Sequence, residues 1–519
     1  MSALPPLSEP DPAQATSSVA GTVSSVIVLA AGAGTRMKSS LPKVLHPIAG
    51  RPLLWHAMAA AAAVSPQQLV AVVGHGRDRV GPYLTEHHPA VIQVVQEQQL
   101  GTGHAVEQAL AAAPAAAGTV LVTYGDVPLL TGGTLLTLAA EHRRSSAAVT
   151  VLTAIVDDPS GYGRIVRDAN GELVGIVEHR DADAGQREIR EINSGVYAFD
   201  GTVLTAALAR ITPANAQGER YLTDVVSLAR ADGHRVGTVL TPDAAETEGV
   251  NDRVQLADLS RRLNARLVQA AQLGGVTVFD PATTWIHADV RIGRDTQVLP
   301  GTSLEAGTVI GEGCTIGPDT TLAGCSVADG ASVVRSHCLG ASIGPGASVG
   351  PFTFLRGGTS LGAQAKAGAF VEIKNSAVGD RAKVPHLSYV GDATIGSGTN
   401  LGAGTITANY DGVHKHRTMV GRDAFVGTDS TLIAPVTIGD GAYVAAGSTV
   451  TDDVAAGDLA VARGRQHAVK GWVLRRRAGT ASDGSARSAG AQEATPSTPA
   501  QDSAVTVSHP AVQEEVPPA

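Results

Sequence analysis

Two cations, Arg36 and Lys43, leave a run of small residues, Ala30-Ala31-Gly32-Ala33-Gly34-Thr35, and Pro42 fixes the turn before the second of them. Small residues let backbone N–H groups come close to a phosphate or a base with no Cβ in the way. A loop of this kind followed by two cations is a seat for a nucleotide. Asp126, in Tyr124-Gly125-Asp126-Val127-Pro128-Leu129, follows an apolar run directly; a carboxylate so placed can hold Mg²⁺ against a triphosphate. A second set lies far along the chain. Arg356 and Lys374 are eighteen residues apart, His386 follows, then Tyr389 and Asn400. Two cations stacked one above the other make a phosphate clamp. An imidazole exchanges a proton near neutrality, which suits His386 to take one from an amine attacking a thioester.

The elements that must position these groups can be read from the same residues. Val26–Leu29 is a short apolar run and predicts a buried strand ahead of the small-residue loop. Helix is expected over 53–64 and 105–113, and strand over 69–74, 91–95 and 119–123. That alternation predicts a mostly parallel, doubly wound sheet whose ligands lie beyond the carboxyl ends of the strands. Gly161–Ile165, Ile176–His179 and Glu191–Gly195 are polar interruptions between apolar segments, placed to meet sugar hydroxyls. The loop contains no G-x-x-x-x-G-K-[ST], and Met37 stands where a dinucleotide fingerprint needs its third glycine, so both of those motifs are excluded. Leu256, Leu259, Leu263 and Leu267 recur at helical spacing and predict an amphipathic connecting helix.

From about residue 275 an aliphatic side chain recurs every six residues, as in Ile292, Val298, Leu304, Ile310, Ile316 and Leu322. The period slips and resumes at Val327, Ile343, Val378 and Val420. Hexads with one inward aliphatic predict a parallel β-helix, three hexads to a triangular coil. On a coil of that length Arg356 and Lys374 superpose. The hexads stop after Ile406, where Thr407–Arg417 loops out polar residues, as at a binding wall. The expected division is a disordered tail over 1–22, a nucleotide domain over 23–251, a connecting helix over 252–274, the solenoid over 275–478 and a disordered tail over 479–519.

Composition narrows the function class. Sixty glycines with only 3% aromatic residues suit a repetitive fold of small and β-branched side chains. A net charge of −9 argues against nucleic acid as a partner. Three cysteines without a C-x-x-C pair point to a reducing compartment, and no apolar run approaches the length of a membrane span, so a cytoplasmic protein is expected.

The stretch L-A-A-G-A-G-T-R-M from Leu29, followed by Leu41-Pro42-Lys43, resembles the signature of sugar-1-phosphate nucleotidyltransferases. Together with the solenoid cluster, residues 24–475 resemble the bacterial bifunctional N-acetylglucosamine-1-phosphate uridyltransferase/glucosamine-1-phosphate N-acetyltransferase family. The resemblance implies a Rossmann-like α/β domain followed by a left-handed β-helix, usually assembled as a homotrimer. It implies acetylation of glucosamine 1-phosphate by acetyl-CoA in the solenoid, then uridylyl transfer from UTP in the first domain, yielding a peptidoglycan precursor and pyrophosphate. By that resemblance Leu29, Ala30, Ala31, Gly32, Gln96, Gly101 and Thr102 hold the uracil and ribose, while Arg36 and Lys43 are catalytic cations on the phosphates. Tyr124, Gly125, Gly163, Glu178 and Asn193 line the sugar pocket, and Asp126 and Asn251 share Mg²⁺. In the solenoid Arg356, Lys374, Tyr389 and Asn400 bind glucosamine 1-phosphate, and His386 is the general base. Ala403, Asn409, Tyr410, Thr428, Ala446 and Arg463 line the acetyl-CoA site. Ala33 departs from the lysine common inside this loop, and Thr428 from a common serine that it replaces with its own hydroxyl. The alternative is a sugar-nucleotide pyrophosphorylase with a purely structural solenoid, which would have no reason to keep Arg356, Lys374, His386 and Tyr389 together.

Overall fold

The computed structural model describes residues 23–113 and 118–490. The tail expected over 1–22 and most of that over 479–519 lie outside the described residues. The described chain falls into two compact units, one ending at Val461 and the other starting at Ala462.

The first domain is a sheet built from β1 (Val23–Ala30), β2 (Gln68–Val73), β3 (Ile92–Val95), β4 (Thr119–Tyr124), β5 (Val149–Ile155), β6 (Arg164–Arg167), β7 (Leu173–Val177), β8 (Glu191–Asp200) and β9 (Val236–Leu240). The order along the main path is β9-β5-β8-β4-β1-β2-β3, with β6 on β8 and β7 on β6. β1 is buried along its whole length, as a central strand flanked by parallel neighbours on both edges must be. Only β8 runs against β4 and β5, and the β6–β7 hairpin is antiparallel too; the rest of the path is parallel. Register decides what this sheet can do. Leu29 pairs with Val72 and Tyr124, Ala30 with Val73, and Val73 with Val95. The strands before Ala31, Gln96 and Gly125 therefore end level, and the loops that follow share one edge. Helices α1 (Leu53–Ala63) and α2 (Thr102–Ala112) agree with the expected segments to within about a turn.

Helix α3 (Arg253–Leu273) joins this domain to the solenoid. Leu259 and Leu263 pack with Met37, Ile48, Leu53, Leu129 and Val250 of the first domain, whereas Val268 and Ala271 join the solenoid core. A second tie runs through the turn between Ile48 and Arg51. Arg51 pairs with Asp289 at 2.5 Å, and the Ala288 N–H donates to the Ala49 carbonyl at 3.0 Å. The two domains thus share buried contacts at the first coil.

The solenoid stacks three sheets of eleven, ten and nine strands, every pairing parallel and each strand bonded to the third one on, except that Tyr443–Val444 pairs with Leu459–Ala460, the second strand on. This arrangement is consistent with a left-handed β-helix of hexapeptide repeats. The hexad aliphatics form one continuous core running from Ile292 to Val450, and each buried side chain contributes about 1.5–3 kcal/mol. Phe354 stacks on Glu372, which stacks on Tyr389, which stacks on Ile406. The next partner of Ile406 is Thr431, because the intervening loop detours out of the coil. The three cysteines are buried inside this core. Its last strand is Leu459–Ala460, so regular coils end earlier than the boundary at 478. Residues 479–490, expected to be unstructured, instead include a helix over Ala481–Ser488. Thr480 caps it by accepting from the Asp483 N–H, and Arg487 pairs with Asp483 one turn away at 2.9 Å.

Candidate functional site

At the carboxyl edge of the sheet, Gly34 takes a left-handed φ of +60° and a side chain there would run into the stem of Lys43. The glycine is required on both counts, and it lets Lys43 lie across the loop. Lys43 Nζ forms an ion pair with Asp126 Oδ2, the two side chains only 13% and 16% exposed. Arg36 Nη2 donates to Asn251 Oδ1 at 2.8 Å. Asn251 reaches this place because the Val250 N–H bonds to the Asp126 carbonyl at 2.9 Å. That hydrogen bond brings Asn251, the next residue in the chain, close to Asp126, and the two carry a carboxylate and an amide oxygen, the hard donors a magnesium ion takes.

The residues expected on the nucleoside side are tied together by hydrogen bonds. The Gly125 N–H donates to the Leu29 carbonyl at 2.9 Å, fixing one loop against the other. Gln96 is buried and donates to the Gly101 carbonyl at 3.1 Å. Thr102 Oγ1 accepts from the Leu222 N–H at 3.1 Å. Gly101 has φ +107°, and a Cβ would press on the backbone of Arg220 at 2.6 Å. Gln99, which the sequence reading passed over, donates to the Ala31 carbonyl at 2.6 Å and shapes the same wall. Gly32 is exposed and Ala33 half-buried.

The expected sugar pocket converges as well. A Cβ on Gly163 would touch Ile176, Glu178 Oε1 at 3.4 Å and Asn193 Cβ at 3.5 Å. The Asn193 N–H donates to the Gly163 carbonyl at 2.9 Å, and its amide donates to Tyr197 Oη at 2.8 Å. Gly195, at φ +80°, lies under the ring of Tyr124, where any side chain would collide. Burial, then Glu178 and Asp126, push the Tyr124 hydroxyl well above its ordinary pKa. Burial and the carboxylates of Asp181 and Asp224 raise Glu178. Arg164, within the polar interruption Gly161–Ile165, is buried, only 1% exposed. It donates to the Tyr162 carbonyl and, at 3.4 Å, to the Arg187 carbonyl, and it meets His179 Nδ1 at 3.3 Å. It ties together the three segments around the pocket.

In the solenoid the Arg356 N–H donates to the Ile373 carbonyl, so Arg356 stacks on Lys374 as the spacing predicts. A third cation joins them. Lys415, carried in by the inserted loop, is the largest influence lowering the Lys374 pKa, with Arg356 after it. Only the loop's path reveals Lys415, since it follows no hexad. Arg356 is also paired with Glu372 at 2.9 Å. Below Lys374 the column continues with Gly391, and the missing side chain makes room for the Tyr389 hydroxyl and the Asn409 amide. Asp392 is the buried hub: it accepts from Asn375 at 2.6 Å and from Asn409. Burial opposes its charge, but those hydrogen bonds outweigh it and hold the carboxyl below its usual range. The loop itself is closed by Asp411, which accepts from the Val413 and His414 N–H groups and pairs with His416 at 2.7 Å. Tyr410 stays exposed and donates to the Gly412 carbonyl at 2.6 Å.

His386 is exposed at the end of the strand Lys383–His386. Lys383 pairs with Asn400, Leu401 with Val426 and Val426 with Val444. Carrying that register round the corner puts His386, Ala403, Thr428 and Ala446 in one column on successive coils. Gly402 and Gly427 beside it admit no side chain: a Cβ would fall 2.8 Å from Thr428 Cα and 2.7 Å from Ala446 Cα. Asn400 is not gathered with the cations. It lies on the neighbouring sheet, between Lys383 and Phe425. Arg463 is exposed in the C-terminal unit.

A glycine-containing loop followed by two cations at the edge of a mostly parallel sheet, continued into hexapeptide coils that carry a cluster of cations, is the arrangement of a nucleotidyltransferase fused to an acyltransferase. Residues 26–193 match the MobA-like NTP transferase domain, and residues 285–333 and 417–452 match the bacterial transferase hexapeptide repeat. "Bifunctional protein GlmU" of Corynebacterium efficiens is 52% identical over 476 residues, covering 91% of this chain and 98% of that protein. The proteins of that name from Streptomyces coelicolor and Nocardia farcinica are each 54% identical, over 88% of this chain and 95% and 94% of their own lengths. The chain belongs to the bifunctional GlmU family. It is a uridyltransferase and a glucosamine-1-phosphate acetyltransferase of UDP-N-acetylglucosamine biosynthesis.

Proposed function

We propose that the two activities divide between the two ends of this chain and are carried by the residues gathered there. In the solenoid Arg356, Lys374 and Lys415 grip the phosphate of glucosamine 1-phosphate, and Tyr389 bears on the sugar. His386 takes the proton from the 2-amino group as it attacks the acetyl thioester. The coenzyme runs down the corner column of Ala403, Thr428 and Ala446, beside Asn409 and Tyr410. The observation that carries this reading is the meeting of three cations at Lys374, an arrangement that costs free energy unless an anion is bound there.

In the first domain the sugar phosphate attacks the α-phosphorus of UTP, the α–β P–O bond breaks to release pyrophosphate, and Arg36 and Lys43 neutralise the charge that develops. Leu29–Gly32, Gln96, Gly101 and Thr102 hold the nucleoside, and Tyr124, Gly125, Gly163, Glu178 and Asn193 the acetylated sugar. Asp126 and Asn251 would hold Mg²⁺, which when bound would supply positive charge against the triphosphate. The working form is a homotrimer in the cytoplasm. Supporting it, Asn400 and the cation cluster lie on different faces of the solenoid, and a second copy at the corner would present both to one ligand; Arg463 of a neighbouring chain is assigned to the coenzyme.

The test supplies purified protein with glucosamine 1-phosphate, acetyl-CoA, UTP and Mg²⁺ and follows both half-reactions by mass spectrometry. UDP-N-acetylglucosamine from the unacetylated sugar is the expected result. Product only from N-acetylglucosamine 1-phosphate would make the solenoid structural and the reading of His386 wrong.

A further inference from the structure

The two cations assigned to the nucleotide's phosphates are paired, one to one, with the two oxygens assigned to the metal. Lys43 is on Asp126, and Arg36 is on Asn251 at 2.8 Å. The Lys43–Asp126 pair is part-buried, while the Arg36–Asn251 hydrogen bond lies exposed. Lys43 is guided across the loop by the absence of a side chain at Gly34, and Asn251 is held near Asp126 by the Val250 hydrogen bond. Gly249 also lies against the Asp126 carboxyl, a Cβ there falling 3.7 Å from Cγ. A carboxylate only 16% exposed needs a compensating cation. An ammonium in contact with Asp126 Oδ2 supplies it, and a divalent ion cannot take that oxygen while it is there.

We propose that Lys43 and Arg36 are place-holders for the divalent ion. Without nucleotide they occupy Asp126 and Asn251 and keep the affinity for metal low. An arriving triphosphate, being the stronger anion, draws both cations onto its own oxygens and frees the carboxylate and the amide. Metal and nucleotide then bind with positive coupling, and the coupling is reciprocal. Charge in the site stays compensated at each stage, because each cation is passed from carboxylate or amide to phosphate as the metal replaces it. The inference rests on the assignment of Asp126 and Asn251 to Mg²⁺ made under Proposed function.

The test titrates full-length protein with Mn²⁺ in the absence of nucleotide and reads the free ion by electron paramagnetic resonance. Wild type, Lys43→Met, Asp126→Asn and the double variant are compared. Lys43→Met is expected to bind Mn²⁺ about tenfold tighter than wild type or more, since an opposite charge beside a carboxylate shifts its equilibria by 1–3 log units. Adding Asp126→Asn should abolish that gain. If Lys43→Met binds no tighter than wild type while Asp126→Asn weakens the wild-type site, the metal seat stands and the place-holder idea is overturned. A gain that survives Asp126→Asn overturns it too. Mn²⁺ binding indifferent to Asp126→Asn in both backgrounds would instead remove the metal assignment itself. A second readout needs no variant: acetic anhydride labelling of Lys43 in wild type, measured by mass spectrometry, should rise several-fold at saturating Mn²⁺. Unchanged labelling would refute the exchange.

Discussion

Gly391→Ala perturbs the proposed acetyl-transfer site through one added methyl group. The backbone at Gly391 does not lie in the left-handed region, so alanine meets no conformational penalty there. What the methyl meets is the site. It would overlap the Tyr389 hydroxyl, lie 2.7 Å from Tyr389 Cζ and fall 2.8 Å from Asn409 Nδ2. The Tyr389 ring must retreat by roughly 0.7 Å or more to regain ordinary contact with the methyl. Asn409 cannot yield freely, because its amide is held by Asp392. The ring therefore moves, and a displacement approaching 1 Å costs on the order of 100-fold when geometry carries the rate. The expected result is a fall of about 30- to 100-fold in kcat/KM for acetyl transfer, followed by thiol release from acetyl-CoA. Uridylyl transfer, followed by pyrophosphate release, and the thermal midpoint should stay near wild type, since the clash involves side-chain ends on the outer face. Acetyl transfer within twofold of wild type, with the fold intact, would refute the placement of Tyr389 and Asn409 at the substrate.

Lys415→Met should raise the KM for glucosamine 1-phosphate about tenfold, the loss of one charge-assisted contact. Because Lys415 and then Arg356 hold the Lys374 ammonium below its usual pKa, wild type should lose sugar-phosphate affinity early as pH rises. In the variant that alkaline limb should move to higher pH, which KM measured between pH 7 and pH 10 would check. Burial holds the His142 imidazole at about 4, below its ordinary value. The unfolded chain therefore takes up a proton first as pH falls, and this group withdraws stability between about pH 6.5 and pH 4, roughly 3 kcal/mol in all. Denaturant titrations of His142→Gln should show a shallower acid limb over that window. Leu355→Ala removes a fully buried side chain stacked between Cys338 and Ile373. It should cost about 2–5 kcal/mol in the solenoid's unfolding transition, and a cost below 1 kcal/mol would show that the coil collapses around the gap.

Arg164 and Lys415 illustrate what a linear reading misses. Nothing in the chain around Arg164 marks it as buried, because its partners come from Tyr162, His179 and Arg187 on three separate turns. Lys415 stands in an irregular loop among histidines and an arginine, so no periodicity selects it. The helix after Thr480 escapes a linear reading for a related reason: serine, glycine and alanine dominate its composition, and the cap and ion pair that help hold it leave no apolar period.

The sequence by itself determined the parts that depend on local pattern. A six-residue recurrence of aliphatics leaves only a parallel solenoid able to bury them, and an apolar run broken by small residues and followed by cations describes a strand and its phosphate loop. Even the stacking of Arg356 on Lys374 follows from spacing, because both lie on regular coils. The tertiary structure alone decided which outward groups meet where the pattern breaks. Lys415 joins Lys374 because the loop after Ile406 folds back along the same face, and Asp392 becomes a hub because Asn375 and Asn409 close on it from neighbouring coils. Likewise Lys43 and Asp126, eighty-three residues apart, come together only when the strands that precede their loops end in register. Spacing controls contacts between neighbours on a regular lattice; long-range pairs of charges depend on chain reversals whose geometry no period records.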